Sequence, residues 1–135
     1  MVLRISPNGT LTIANAGHIP PLLAGRELPV QPDLPLGLTA QSDYSESAFT
    51  LPAGEQLTLL TDGVVEATNP TSKELFGFDR TAAISTQSAE SIAAVAHRFG
   101  QEDDITVLTV RFGPADILSD DGAKSQNQSI SPDRE

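Results

Sequence analysis

Hydrophobic and polar positions alternate through the first half of the chain, switch to a helical period, and alternate once more close to the end of the apolar sequence. Val2–Ser6 alternates, Pro7-Asn8-Gly9 is a turn signal and Thr10–Ala14 alternates again, which predicts a β-hairpin. Asn15-Ala16-Gly17-His18 breaks the pattern. Pro21–Ala24 and Glu27–Val30 then flank Gly25-Arg26 as a second, shorter hairpin, and Gln31–Leu38 reads as a loop punctuated by Pro and Gly. Tyr44–Leu51 and Gln56–Thr61 are the next strands, joined by the turn Pro52-Ala53-Gly54-Glu55.

After Asp62 the period changes. Val64–Phe76 reads as loop with a short helical piece, and Phe78–Ser85 as a short helix. Ser88–Phe99 is a clearer helix: Ser88 suits the N-cap, Glu90 the first turn and Gly100 the C-terminal cap. Ile92, Val95, Ala96 and Phe99 recur at i, i+3, i+4 and i+7, a single buried stripe. The last strand, Ile105–Phe112, places Ile105 and Val107 on one face and Leu108, Val110 and Phe112 on the other, so cover is expected on both faces. The fold class is α+β, antiparallel strands followed by helices and one further strand, with the helices on one sheet face. Residues 1–113 form the folded part, and 114–135, rich in Asp, Ser, Gln, Asn and Gly, are expected to be a disordered acidic and polar tail.

Composition narrows the function classes. The chain has 135 residues, one domain's worth, and five Phe, one Tyr and no Trp make its core aliphatic. Zero cysteines exclude disulfides, thiolate metal sites and a cysteine nucleophile. Apolar runs fall far short of a membrane span, and Met1–Ser6 is not a basic region leading into an apolar stretch, so a cytoplasmic protein without membrane association is expected. Net charge is −10, and no cluster of Lys and Arg offers a nucleic-acid backbone a footprint. No Gly-x-Ser-x-Gly elbow, P-loop or dinucleotide fingerprint occurs. His18 lies in a Gly-Pro loop and His97 on the outer part of the helix, settings that suit structural or solvated histidines.

The chemistry-bearing residues are the acidic pairs beside two apolar strands. Asp62-Gly63 follows Gln56–Thr61, and Asp103-Asp104 precedes Ile105–Phe112. Carboxylates at the ends of buried strands are rigidly held, and where they converge they make an oxygen-rich site for Mg²⁺ or Mn²⁺. Gly63, without a side chain, lets backbone approach such a site closely. Asp-Gly is equally a common turn dipeptide and Asp-Asp before a strand a solvated loop, so pattern alone leaves both readings open.

From Leu11 to Phe112 the chain resembles the C-terminal half of a SpoIIE-like member of the PPM family, the Mg²⁺/Mn²⁺-dependent serine/threonine protein phosphatases. The resemblance is carried by Asn15-Ala16-Gly17-His18-Ile19-Pro20-Pro21-Leu22-Leu23, Leu34-Pro35-Leu36-Gly37-Leu38, Leu59-Leu60-Thr61-Asp62-Gly63-Val64-Val65-Glu66-Ala67, Phe76-Gly77 and Glu102-Asp103-Asp104-Ile105-Thr106-Val107-Leu108, in the family's order. It implies an α-β-β-α sandwich with metals at one end of the sheets. Asp62 and Asp103 match metal-ligand aspartates, while Gly63 and Asp104 stand beside the metal as backbone or second-layer neighbours. Asn15, Gly17 and His18 fall in a motif read as mainly structural. The implied reaction is hydrolysis of phosphoserine or phosphothreonine by metal-activated water, and the implied partner a phosphorylated protein such as an anti-sigma-factor antagonist in bacterial partner switching.

One element of the family pattern has no counterpart. The family's N-terminal half carries a Gly-Asp motif whose aspartate bridges two metals, and no residue of this sequence matches it; Asp33 and Asp43 lie in the wrong context. The expectation is therefore a phosphatase part that is inactive alone. A non-catalytic partner-switching module, or a half-domain completed by another chain, are the alternatives.

Overall fold

The computed structural model describes residues 1–113, which lie in two facing sheets with helices on the outer side of one of them. The expected tail, 114–135, lies outside the described residues. Strand β1 (Val2–Ile5) and β2 (Thr10–Ala16) form the first hairpin, antiparallel from Val2↔Ala14 to Ile5↔Leu11. The turn closes with Ser6 N–H donating to Thr10 O and Gly9 N–H to Ser6 O, while Asn8 Oδ1 accepts from Thr10 N–H. Strand β3 (Leu22–Leu23) and β4 (Arg26–Glu27) make the second hairpin. Its turn residues are Ala24 and Gly25, one position earlier than expected, both with positive φ (49° and 83°). Such a turn matches the twist of the strands it joins.

Within the expected loop 31–38, Pro32–Asp33 forms a short strand, β5, which runs parallel to β2 opposite Asn15 and Ala16. Strand β6 (Glu46–Thr50) pairs antiparallel with β2, and β7 (Gln56–Leu60) pairs with both β3 and β8 (Val107–Arg111). Thus β1, β2, β5 and β6 make one sheet, and β4-β3-β7-β8 is the order of the other. Helices α1 (Asp62–Val65), α2 (Gly77–Ile84) and α3 (Ala89–Gly100) complete the described elements.

Alternation along the strands generates two cores. Leu11 and Ile13 of β2 point between the sheets and meet Leu57, Leu28, Val30 and Leu51, with Phe49, Leu59, Val110 and Phe112 packed around them. Thr58 and Leu60, the other face of β7, point to the helices, where Leu60 joins Val64, Val65, Phe76, Ile92 and Ala96. Each fully buried aliphatic side chain contributes about 1.5–3 kcal/mol of transfer free energy. Helix α3 follows the expected stripe, Ile92 and Ala96 fully buried and Val95 and Phe99 partly so. Ser88 caps it by accepting from Ser91 N–H at 3.2 Å.

A polar junction ties β7 to the α2–α3 connection. Gln56 Nε2 donates to Ser85 O (2.9 Å) and Gln87 O (2.7 Å), Thr58 Oγ1 donates to Ser85 O (2.6 Å), and Arg111 Nε donates to Gln56 Oε1 (3.2 Å). Buried polar side chains thereby find partners, as burial demands.

Two expectations need correction. Asp62-Gly63 was expected to end a strand ahead of a loop with a short helical piece from Val64 onward, but the helix, α1, opens at Asp62 itself. The reason is that Thr61 is already extended at the helix boundary and Glu66 N–H returns to Asp62 O. The last strand is not covered on both faces throughout: Ile105 and Val107 lie under the helices and Val110 and Phe112 between the sheets, but Leu108 is 56% exposed. Strand β8 is an edge, paired with β7 alone among the described strands.

Candidate metal centre

Thr61 is the residue that joins the two acidic segments. It stands at the N-cap position of α1, yet its side chain makes no capping bond. Its hydroxyl donates instead to Asp104 O (3.2 Å) and accepts from Thr106 N–H (2.9 Å), and its own N–H donates to Thr106 O (3.0 Å). The β7–β8 ladder, from Gln56↔Arg111 to Leu60↔Val107, is thereby extended past its last paired residues into the acidic loop. Sequence reasoning missed this role; a threonine before Asp-Gly signals a helix cap, and nothing local reveals a partner some forty residues away.

Gly63 seals the junction. It is buried, and a Cβ on it would lie 2.5 Å from Asp104 O and 3.3 Å from Asp103 O. The Asp103–Asp104 backbone therefore rests directly on Gly63, so the two segments meet through main chain. Asp62 and Asp103 both lie exposed on this end of the sheet. Each is oriented by a local bond: Asp62 Oδ1 accepts from Gly63 N–H (3.1 Å) and Asp103 Oδ1 from Asp104 N–H (2.7 Å). The segments that carry Asp62-Gly63 and Asp103-Asp104 thus meet through their main chain.

The donors suit a hard cation, since ionised carboxylates with water completing the shell are what Mg²⁺ and Mn²⁺ accept. Among the described residues, however, no group of three or more His, Asp or Glu side chains is arranged to hold a metal. Asp62 and Asp103 are carboxylate donors of the kind such a shell takes, and no third carboxylate among the described residues joins them.

The Asn15-Ala16-Gly17-His18 motif closes the end of β2. Buried Asn15 donates through Nδ2 to His18 O (2.8 Å) and accepts at Oδ1 from His18 N–H (2.9 Å), so one amide closes the loop in both directions. Gly17 adopts φ +80°, and a Cβ there would lie 2.6 Å from Pro35 Cγ. His18 uses Nδ1 on Ile19 O (2.8 Å). This geometry is that of a structural motif. His97 is exposed in the last turn of α3.

Two facing sheets, helices on one of them, and acidic loops meeting at one end define the class as a PPM-type, or PP2C-type, phosphatase-domain fold. The family model for Stage II sporulation protein E (SpoIIE) matches residues 1–113, and the chain belongs to that family. Among solved structures it is similar to the manganese-presoaked phosphatase domain of the cell fate determinant SpoIIE from Bacillus subtilis, with a TM-score of 0.59 at 23% identity, covering 83% of this chain and 55% of that one. The RsbU and RsbW domains of Rv1364c from Mycobacterium tuberculosis match with a TM-score of 0.59 at 24% identity, covering 77% of this chain and 32% of theirs. The SiaA-PP2C domain of Pseudomonas aeruginosa matches with a TM-score of 0.56 at 26% identity, covering 78% and 47%. No curated protein matches the chain. The chain thus spans about half or less of the length of these solved relatives. Among the described residues no helix is long and apolar enough to cross a membrane.

Proposed function

We propose that this chain supplies part of the metal-binding end of a cytoplasmic serine/threonine phosphoprotein phosphatase, with Asp62 and Asp103 as the metal ligands it contributes. The observation that carries the reading is the seating of Gly63 on the Asp103–Asp104 backbone, which brings both aspartates to one end of the β7–β8 pair. When bound, a Mg²⁺ or Mn²⁺ ion supplies Lewis-acid neutralisation of phosphate charge and a more acidic water. The chain's own contribution is to hold two carboxylates at one end of the β7–β8 pair, with Thr61 locking the acidic loop to the start of α1. The substrate class is a phosphoserine or phosphothreonine protein, with a phosphorylated anti-sigma-factor antagonist as the candidate partner.

Hydrolysis by a two-ion centre requires a bridging carboxylate, and among the described residues none accompanies Asp62 and Asp103. The chain by itself is therefore expected to bind Mn²⁺ without hydrolysing a phosphoserine peptide. Mn²⁺-dependent hydrolysis by the 135-residue chain, abolished by Asp62→Asn, would overturn the inactivity; absence of Mn²⁺-induced broadening of amide resonances around Asp62 and Asp103 would overturn the ligand assignment.

A second reading, completion by another polypeptide, is favoured by the outer edge of β8, unpaired among the described strands and beside exposed Leu108. Unpaired N–H and C=O groups along an edge are a template for an added strand. A monomeric chain that unfolds cooperatively on its own would count against this reading.

A further inference from the structure

Away from the aspartate pair, a cavity of about 170 Å³ opens between the second hairpin and helices α1 and α2. Its apolar lining includes Ile19, Leu22, Val65 and Phe78, and its carboxylates are Glu27 and Asp79. Both carboxylates are exposed, and the single ion pair among the described residues, Arg80–Glu74, uses neither. Phe78, 58% exposed, is the one aromatic residue lining the cavity.

We propose that this cavity is a docking pocket for an arginine side chain presented by a partner protein. An apolar cavity with two carboxylates that form no ion pair among the described residues, and an exposed aromatic residue, gains only apolar contact from an aliphatic side chain and repels an acidic one. An arginine fulfils all three demands: its methylene stem covers apolar wall, its planar fork donates to carboxylate oxygens, and its guanidinium packs on an aromatic face. The net charge of −10 adds long-range attraction for such a partner. Val65 belongs to the same four-residue helix as Asp62, so a partner anchored here lies against the element that carries the candidate metal ligand. The pocket uses neither Asp62 nor Asp103 and holds whether or not they bind metal.

The test uses the 135-residue chain without metal and Nα-acetyl-arginine methylamide as probe, followed by amide chemical-shift mapping. The citrulline analogue, equal in shape and uncharged, and the lysine analogue serve as comparators. Saturable shifts at Leu22, Glu27, Val65, Phe78 and Asp79, about tenfold weaker with citrulline and about tenfold weaker again in the Glu27→Gln/Asp79→Asn double variant, are expected. Lysine should bind more weakly than arginine, and Phe78→Ala should narrow that gap. Both carboxylates are exposed, so their substitution leaves the fold intact, and Asp62→Asn should not alter arginine binding while it lowers Mn²⁺ binding. Equal binding of citrulline and arginine, shifts that map elsewhere, no shifts at all, or a double variant that binds as the parent does would each overturn the proposal.

Discussion

The α-carbon of Gly63 faces the carbonyl of Asp104 so closely that a methyl group built on it would lie 2.5 Å from the oxygen. Two segments distant in sequence are packed main chain to main chain, with no side chain between them. Gly63→Ala should therefore push the Asp103–Asp104 loop away, lower stability by about 1–3 kcal/mol and weaken Mn²⁺ binding together. Chemical denaturation and Mn²⁺ titration check both; an alanine variant with parental stability would show that the loop yields freely.

Asp62→Asn and Asp103→Asn should separate metal affinity from folding. Both side chains are exposed, and asparagine keeps an oxygen that can accept the adjacent N–H, so stability should stay within about 0.5 kcal/mol. Affinity for Mn²⁺, measured by calorimetry, should fall in each variant. Unchanged affinity would remove the residue from the ligand set.

Asn15 is the residue whose loss should be most costly per atom removed. It satisfies the N–H and C=O of His18 at once and is 1% exposed. Asn15→Ala leaves both groups in place without that partner and should cost about 2–3 kcal/mol in urea unfolding. A cost below about 0.5 kcal/mol would mean that water replaces the amide fully.

Ala24 offers a stabilising change. Its φ of 49° lies in the left-handed region, where a Cβ is unfavourable, and its neighbour in the turn is Gly25. Ala24→Asn or Ala24→Gly should stabilise the chain by about 0.5–1 kcal/mol, read as a rise in thermal midpoint. A fall would indicate that the alanine methyl makes a contact that outweighs the backbone term.

The Thr61 hydroxyl should matter for geometry more than for charge. Thr61→Val keeps the shape but loses the bonds to Asp104 O and Thr106 N–H, and should lower stability by about 1–2 kcal/mol. Thr61→Ser should retain most of both stability and Mn²⁺ affinity. If serine behaves as valine does, methyl packing rather than hydrogen bonding is what holds the loop.

Much of this was legible along the chain because its causes are local. Period-two alternation set which residues of β2 face the inter-sheet core, Pro7-Asn8-Gly9 set the first hairpin, and the Ile92–Phe99 stripe set the buried side of α3. The acidic pairs at Asp62 and Asp103 were visible because a carboxylate beside an apolar strand is conspicuous. Other features depend on partners that local sequence does not name. The parallel seat of Pro32–Asp33 against β2, the clamp formed by Thr61, the helix beginning at Asp62 itself and the exposure of Leu108 on an edge strand all arise from what lies across the fold. The residue pattern by itself determined the longer strands and the helical stripe and marked the acidic pairs, since these follow from side-chain period and residue chemistry. Only tertiary structure decided that Asp62 and Asp103 share one end of a sheet, because that depends on the β7–β8 register and on a glycine small enough to let two backbones touch.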